Sequence, residues 1–273
     1  MAKDRSSAGD PSRTLALLWR ESDGRPGAGR GPRPGLTVDA VVQAALELAD
    51  ADGLDAVSMR RIAQQLGVTP MTLYTYVPGK AELLDLMLDT LFLRMPRPVD
   101  PAAPWRERVT AVAESNRVLQ LAHPWVAALP ATRPPLGPGL IAKYDHELGA
   151  FDGLGLTDLD IDAALTHLLA FVRSTGRTAL EARAAERDSA MSDDDWWEVN
   201  GPLLARVFDP ERHPLATRIG AAAGEAHRSA YSADHAYGFG LRCVLDGFAA
   251  LIAERAEEAE QAGRAGQEER PGG

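Results

Sequence analysis

"SMRRIAQQLGVTPMTLYTYVPGK", residues 58–80, decides the fold, because it contains two short helical patterns separated by a glycine turn. In the first pattern, Ser58 is a helix-capping residue, and apolar side chains follow at helical spacing. In the second, Thr69 precedes a proline, which is favoured at the first position of a helix, and Pro78 ends the helix near Val77. Two short helices joined in this way predict a helix-turn-helix unit.

The same segment has three basic residues and no acidic one, although the 273-residue chain has a formal net charge of -10. Residues 1–80 have a net charge of +1, whereas residues 81–273 have a net charge of -11. A polyanion would be attracted by the first part and repelled by the second. The charge distribution therefore indicates that any contact with nucleic acid is made by the N-terminal part.

Helical geometry predicts which side chains of the second helix face outward. With Leu73 set toward the core, Val77 lies on the same side at about 100° per residue. The predicted outward surface consists of Met71, Thr72, Tyr74, Thr75 and Tyr76. It has hydroxyl and thioether groups that can contact phosphates, base edges and thymine methyls in a major groove. Tyr76 lies beside the inward face, so both packing and DNA contact stay open for it.

The remaining sequence shows further helical patterns and no strand-like alternation of useful length, so we predict an all-α fold. No run of about 18 apolar residues occurs, and the N-terminus lacks the apolar core of a secretion signal. We therefore expect a cytoplasmic protein without membrane contact. The single cysteine, Cys243, excludes an internal disulfide, and we find no catalytic triad order, phosphate loop or metal-ligand spacing. We predict no enzymatic activity, no cofactor and no metal.

A longer stretch, "TVDAVVQAALELADADGLDAVSMRRIAQQLGVTPMTLYTYVPGKAELLDLMLD" at residues 37–89, resembles the N-terminal DNA-binding domain of the TetR family of bacterial transcriptional repressors. "AYGFGLRCVLDGFAALI", residues 236–252, is similar to the last helix of the tetracycline repressor's own branch. The resemblance implies an N-terminal helix-turn-helix domain and a larger helical domain that binds a ligand and dimerises. The predicted DNA-binding residues are Ser58, Arg60, Thr69, Pro70, Met71, Thr72, Tyr74, Thr75, Tyr76 and Lys80. The resemblance implies all of them except the two capping residues, Ser58 and Thr69.

With this resemblance we predict four parts of the chain. They are a flexible basic arm over residues 1–35, the helix-turn-helix domain over 36–95, the effector-binding and dimerisation domain over 96–260, and a disordered tail over 261–273. The arginines of the arm fit either a solvated linker or a nucleic-acid contact. The implied function is a ligand-responsive repressor that binds a palindromic double-stranded DNA operator as a homodimer. An activator or global regulator of the same fold, controlled by a partner protein, is the alternative.

Two strongly apolar helical patterns, residues 158–187 and 233–260, resemble the pair that forms a four-helix bundle with its twofold mate in this family. Glycines at 238, 240 and 247 would permit a close approach of helices. We therefore expect a homodimer. The predicted interface residues are Leu165, Leu169, Tyr237, Leu241, Val244, Leu245, Phe248 and Ile252.

The family resemblance also implies a small-molecule effector, bound in a mostly apolar pocket with a few polar groups. The candidate lining residues are Met87, His123, Trp125, Tyr144, His146, His167, Phe171, Arg177, Trp196 and Trp197. The magnesium-binding histidine of the tetracycline repressor would fall near Leu129, so a metal-chelated tetracycline is not implied. "HELGA" at His146 lacks the second histidine of a metalloprotease motif, since Ala150 stands there.

Overall fold

The computed structural model of the chain describes residues 10–20, 36–97, 100, 102–129, 133–227 and 232–268. Within these residues it has twelve α-helices, one 3-10 turn and no strand, which confirms the all-α prediction. The helices are α1 (Pro11–Leu18), α2 (Val38–Asp52), α3 (Met59–Gln65), α4 (Pro70–Tyr74), α5 (Lys80–Arg94), α6 (Trp105–Ala122), α7 (Pro124–Ala128), α8 (Pro138–Leu148), α9 (Asp158–Ser189), α10 (Asp193–Ala205), α11 (Pro214–His227) and α12 (Ala233–Glu268).

Side-chain caps fix where several helices begin. Thr37 accepts a hydrogen bond from the Ala40 backbone N–H at 3.0 Å at the start of α2. At the other end of α2, Gly53 takes a φ of 81°, a left-handed conformation that favours glycine. Thr157 and Ser192 each form a capping box, with Asp160 and Asp195 respectively, at the starts of α9 and α10.

A first hydrophobic core holds the helix-turn-helix unit together. It contains apolar side chains of α2 to α5, including Ile62, Leu73 and Val77, none of which is exposed to solvent. Trp125 of α7 and Leu18 of α1 also pack into this core. The first core therefore joins the predicted DNA-binding domain to elements on both sides of it.

A second hydrophobic core lies between α6, α9 and α12. Leu165, Leu168 and Val172 of α9 are buried there against Tyr237 and Phe248 of α12, among others. Within the described residues, Ala233–Ala262 of α12 is long and apolar enough to cross a membrane by length and composition alone. One face of that helix packs in the second core.

Two segments differ from the prediction of disorder. Part of the predicted arm forms α1, where Asp10 caps the helix by accepting from the Ser12 N–H at 2.9 Å and Pro11 follows at the first position. The remainder of the arm, residues 1–9 and 21–35, lies outside the described residues. Residues 261–268 of the predicted tail continue α12, and residues 269–273 lie outside the description.

Helix α1 is attached to both halves of the molecule. The Trp19 indole N–H donates to the Leu136 carbonyl oxygen at 2.8 Å, in the segment that precedes α8. Arg20 pairs with Asp39 of α2, and the Asp10 backbone N–H donates to Glu82 of α5 at 3.3 Å. The chain thus has an N-terminal helix that bridges the helix-turn-helix domain and the larger domain.

Candidate DNA interface and effector site

The short helix α4 presents the surface predicted to read DNA. Leu73 is fully buried beneath it, whereas Met71 is 75% exposed and Tyr74 is 47% exposed. The Val77 N–H donates to the Leu73 carbonyl oxygen at 2.9 Å, so the helical turn continues past Tyr74. Of the side chains predicted to face outward, Met71, Tyr74 and Thr75 are exposed, and Thr72 and Tyr76 are half-buried. Tyr76 also packs against the first core.

Hydroxyl groups brace the two helices of the unit. The Ser58 hydroxyl oxygen accepts from the Arg61 N–H at 3.3 Å at the start of α3, and the Thr69 hydroxyl oxygen accepts from the Thr72 N–H at 3.3 Å, just before Pro70 opens α4. The Thr75 hydroxyl donates to the Thr72 carbonyl oxygen at 2.6 Å. Ser58 and Thr69 thus have a capping role that is independent of any DNA contact.

The two cations predicted to contact phosphates lie on α3 and at the start of α5. Arg60 is exposed on α3 and forms no ion pair with another described residue. Arg61 pairs instead with Asp52 at 2.6 Å, which neutralises an acid close to the predicted interface. Lys80 lies at the first position of α5. Arg60 and Lys80 remain the predicted phosphate contacts, and Arg61 has a local partner.

Helix α5 makes a tight junction with α8 of the larger domain. Asp89 of α5 accepts from the backbone N–H groups of Leu140 at 2.8 Å and Gly139 at 3.1 Å, so its carboxylate caps the N-terminus of α8. Burial raises the pKa of Asp89, although these two N–H groups oppose the increase. A Cβ on Gly139 would lie 2.9 Å from the Leu93 backbone nitrogen. The α5–α8 junction therefore has no space for a side chain at Gly139.

A second junction connects α2 with the α6–α7 corner. Asp50 of α2 accepts from the Trp125 indole N–H at 2.8 Å, and its carboxylate is also 2.8 Å from His123 Nδ1. The two rings contact each other edge to face, with centroids 6.4 Å apart. His123 and Trp125, both predicted to line an effector pocket, link the two domains, and His123 also lines a cleft between them.

The other predicted pocket residues do not converge on one cavity. Met87 is fully buried in the first core, the Tyr144 hydroxyl donates to Asp162 at 2.6 Å, and Arg177 is exposed and pairs with Glu181. Exposed His167 contacts Phe248, half-buried Phe171 stacks on Tyr237, and Trp196 stacks on Trp197 in α10. The effector site therefore stays a prediction for this set, because residue type alone does not determine which side chains face one another.

Sequence reasoning missed a buried polar network in the interior of the larger domain. Glu147 of α8 is 3% exposed and accepts from Lys143 at 2.6 Å and from Asn116 at 2.5 Å. Burial lowers the pKa of Lys143, although Glu147 acts to raise it. The Gln120 side-chain oxygen is buried without a hydrogen-bond partner among the described residues, and His146 borders a void of about 10 Å³ beside the network. Gly139, Lys143 and Glu147 recur every four residues, so they lie on one face of α8. This spacing is the sequence signal that could have identified the pair.

The predicted dimer residues also require a correction. Leu165, Tyr237, Leu241, Leu245 and Phe248 are buried in the second core of their own chain, so they are not available to a partner. Leu169, Val244 and Ile252 are half-buried. Apolar periodicity identified the inward face of α9 and α12, because that face is the more hydrophobic one.

The outward faces of α9 and α12 have a different composition. On α12, Phe239 is 56% exposed, a Cβ on Gly247 would meet open space, and Ala250 is exposed. On α9, Leu159 is 83% exposed and Ala163 is exposed. Among the described residues, no group of three or more His, Cys, Asp or Glu side chains is arranged to hold a metal ion.

Comparison with known proteins covers both halves of the chain. The profile described as "Bacterial regulatory proteins, tetR family" matches residues 41–87, and the profile "Tetracyclin repressor-like, C-terminal domain" matches residues 97–252. The HTH-type transcriptional repressor DrrR1 of Streptomyces coeruleorubidus is 38% identical over 254 residues, which cover 93% of this chain and 91% of that protein.

Solved structures resemble the fold over most of the chain. ActR of Streptomyces coelicolor in complex with actinorhodin has a TM-score of 0.67 at 28% identity, covering 80% of this chain and 97% of ActR. ActR in complex with (S)-DNPA has a TM-score of 0.63 at 29% identity, covering 79% of this chain and 98% of ActR. Both structures hold a small molecule in a protein with the same helical architecture.

Proposed function

This chain belongs to the TetR family of bacterial transcriptional regulators, and we propose that it is a repressor that binds a palindromic operator as a homodimer and is released by a small-molecule inducer. The observation that carries the proposal is the exposed surface of α4. Met71 and Tyr74 project from it, while Leu73 is fully buried. The helix-turn-helix segment that includes them, residues 58–80, has no acidic side chain. Such a surface fits a major groove, with Arg60 and Lys80 on the flanking phosphates.

The homodimer is supported by the outward faces of α9 and α12. Half or more of Phe239 and Leu159 is in contact with solvent, and most of the apolar stretch of α12 is not buried within its own chain. Small residues such as Gly247 and Ala250 would let a partner's helix approach closely, and a twofold axis would present two copies of α4 to the half-sites of a palindrome. In this proposal the interface consists of these outward faces, with contributions from half-buried Leu169, Val244 and Ile252.

An oligomer measurement tests that assignment separately. Ala250→Arg places a long cation on the exposed face of α12, whereas Ala51→Arg makes the same change on the exposed side of α2 as a matched control. We expect light scattering to give the mass of a dimer for the wild type and for Ala51→Arg, and a shift toward monomer for Ala250→Arg. A dimer of unchanged stability in Ala250→Arg would refute the proposed interface.

The inducer is proposed to enter the region of the buried network formed by Lys143, Glu147 and Asn116. One helical turn from Asn116 on α6, the Gln120 side-chain oxygen has no hydrogen-bond partner among the described residues. Buried charged and unsatisfied polar groups are costly unless a structural or functional gain offsets them. The void there is only about 10 Å³, so a ligand would have to separate α6 from α8. Movement of α8 would reach α5 through Asp89 and would change the spacing of the two recognition helices.

Band-shift assays on DNA that flanks the protein's own coding region test the function. We expect a specific complex whose affinity falls steeply with salt, since phosphate contacts release counterions. Addition of an inducer should release the DNA, and Lys143→Met should alter the inducer response more than the affinity for DNA. Failure to find a specific, salt-sensitive complex on any flanking fragment would contradict the proposal.

A further inference from the structure

A cleft of about 280 Å³ lies at the boundary between the two domains, and it shares Met95, Pro96 and Ser115 with the void of about 10 Å³ beside the buried network. Its walls come from α2 and α5 of the helix-turn-helix domain and from α6 of the larger domain. Leu46, Leu91, Met95 and Leu119 give it an apolar lining. Its volume is close to the lower limit for small-molecule sites, so it would suit a compact ligand of a few rings.

The polar groups of the cleft are unequally satisfied. The carboxylate of Asp50 is engaged by the Trp125 indole N–H and by His123, each at 2.8 Å. Arg94 of α5 donates only to the neutral side-chain amide oxygen of Gln43 on α2, at 3.0 Å, and forms no ion pair with another described residue. The cleft therefore combines an apolar lining with one cation whose charge has no acidic partner.

From this charge pattern we propose that the cleft binds a compact apolar anion, an aromatic carboxylate or sulfonate, with its ring system against Leu46 and Leu119 and its acidic group on Arg94. A guanidinium can hold such a group through two parallel hydrogen bonds. The apolar body of the ligand would supply most of the binding free energy, and Arg94 would select for the negative charge.

The position of the cleft determines what such a ligand does, and this step rests on the proposed repressor function. The cleft exists in an arrangement whose inducer region is closed around a void of about 10 Å³. A ligand that binds this arrangement shifts the population toward it, and a repressor binds its operator in the form without inducer. The anion therefore acts as a corepressor, which strengthens operator binding and opposes the inducer.

Fluorescence titration of the full chain with anilinonaphthalene sulfonate, a compact aromatic anion, tests binding in the absence of DNA. Arg94→Gln removes the cation, Ala122→Trp adds a ring at an exposed position on the cleft wall, and Arg218→Gln on exposed α11 is the charge-matched control. We expect one saturable site per chain, weakened about tenfold by Arg94→Gln, abolished by Ala122→Trp and unchanged in the control. Uncharged anilinonaphthalene should bind the wild type and Arg94→Gln equally.

Each alternative outcome is decisive. The absence of a saturable site, or equal binding by all four proteins, would overturn the proposal, because the probe would then occupy another surface. In band shifts, the probe at saturation should lower the protein concentration needed for the operator complex, and a change in the opposite direction would overturn the corepressor role. A protein that binds the probe as expected but forms no operator complex at all would contradict the repressor function and leave the anion site supported.

Discussion

Replacement of Gly139 by alanine is expected to destabilise the protein strongly, because the junction of α5 and α8 has no space for a methyl group. A Cβ at this position would lie 2.9 Å from the Leu93 nitrogen and 3.0 Å from the Asp89 carbonyl carbon, and closer still to the Asp89 carbonyl oxygen. Ordinary contact begins at 3.4 Å, and these are backbone atoms that cannot rotate away. The two helices must therefore separate by at least about half an ångström.

The magnitude follows from what that separation disturbs. Overpacking of a well-packed contact typically costs about 1–3 kcal/mol. The separation also lengthens the two hydrogen bonds from Gly139 and Leu140 to the Asp89 carboxylate, and a hydrogen bond to a charged group contributes about 1.5–3 kcal/mol. Partial loss of these terms gives a decrease of at least about 2 kcal/mol in the free energy of unfolding. For a chain of this size that corresponds to a Tm lower by about 4–8 °C.

Thermal unfolding followed by circular dichroism, at one fixed protein concentration, measures the effect. Gly220→Ala is the matched control, because Gly220 lies within α11 and its added Cβ would meet open space. We expect the control to be neutral or slightly more stable, since alanine favours a helix interior by up to about 1 kcal/mol over glycine. If Gly139→Ala unfolded within about 1 °C of the wild type, the tight junction between the two domains, and its use as the transmission path, would be refuted.

Three further predictions concern the recognition helix, acid stability and the outward face of α12. Met71→Ala should leave the Tm nearly unchanged and alter operator preference by about 1–3 kcal/mol in band shifts, whereas Leu73→Ala should cost about 2–5 kcal/mol of stability. Arg255 and then Thr157 lower the pKa of Asp160 from 3.8 to about 2. The stability that this carboxylate contributes is therefore present above its ordinary pKa and lost as the pH falls toward 2, so urea titrations should show a steeper acid loss for the wild type than for Asp160→Asn. Phe239→Asp should weaken the proposed dimer, measured by light scattering against dilution, with no loss of helix content at high concentration.

Local signals in the sequence predicted the helix-turn-helix unit well. The starts of α2, α3 and α4 follow from Thr37, Ser58 and Thr69, since a cap acts within one helical turn. The burial of Leu73 and the exposure of Met71 follow from the angle between successive side chains on a helix. The same reasoning assigned α1 to the flexible arm, although Asp10 followed by Pro11 is a helix-start pattern, because the segment lies beside a stretch rich in glycine and proline.

Contacts between distant parts of the chain could not be predicted in the same way. Apolar spacing identified Leu241 and Phe248 as a contact face, but it does not say whether that face meets its own chain or another, and the structure uses it inside the chain. Likewise, no local pattern places Asp50 beside His123 and Trp125, residues more than seventy positions away. These pairings depend on how the domains pack, which is a property of the whole fold.

The α10–α11 segment gains little stability from packing within its own chain. None of its side chains is buried. Its exposed side chains include large apolar groups, with 47% to 82% of each in contact with solvent: Trp196 and Val199 in α10, Val207 just after it, and Leu215 in α11. Isolated helices of this length are marginal in water, so packing must supply most of their stability. That packing can come from association of chains, which depends on their concentration. The folded fraction of this segment would then rise with protein concentration. The helix content of the chain would therefore depend on its expression level.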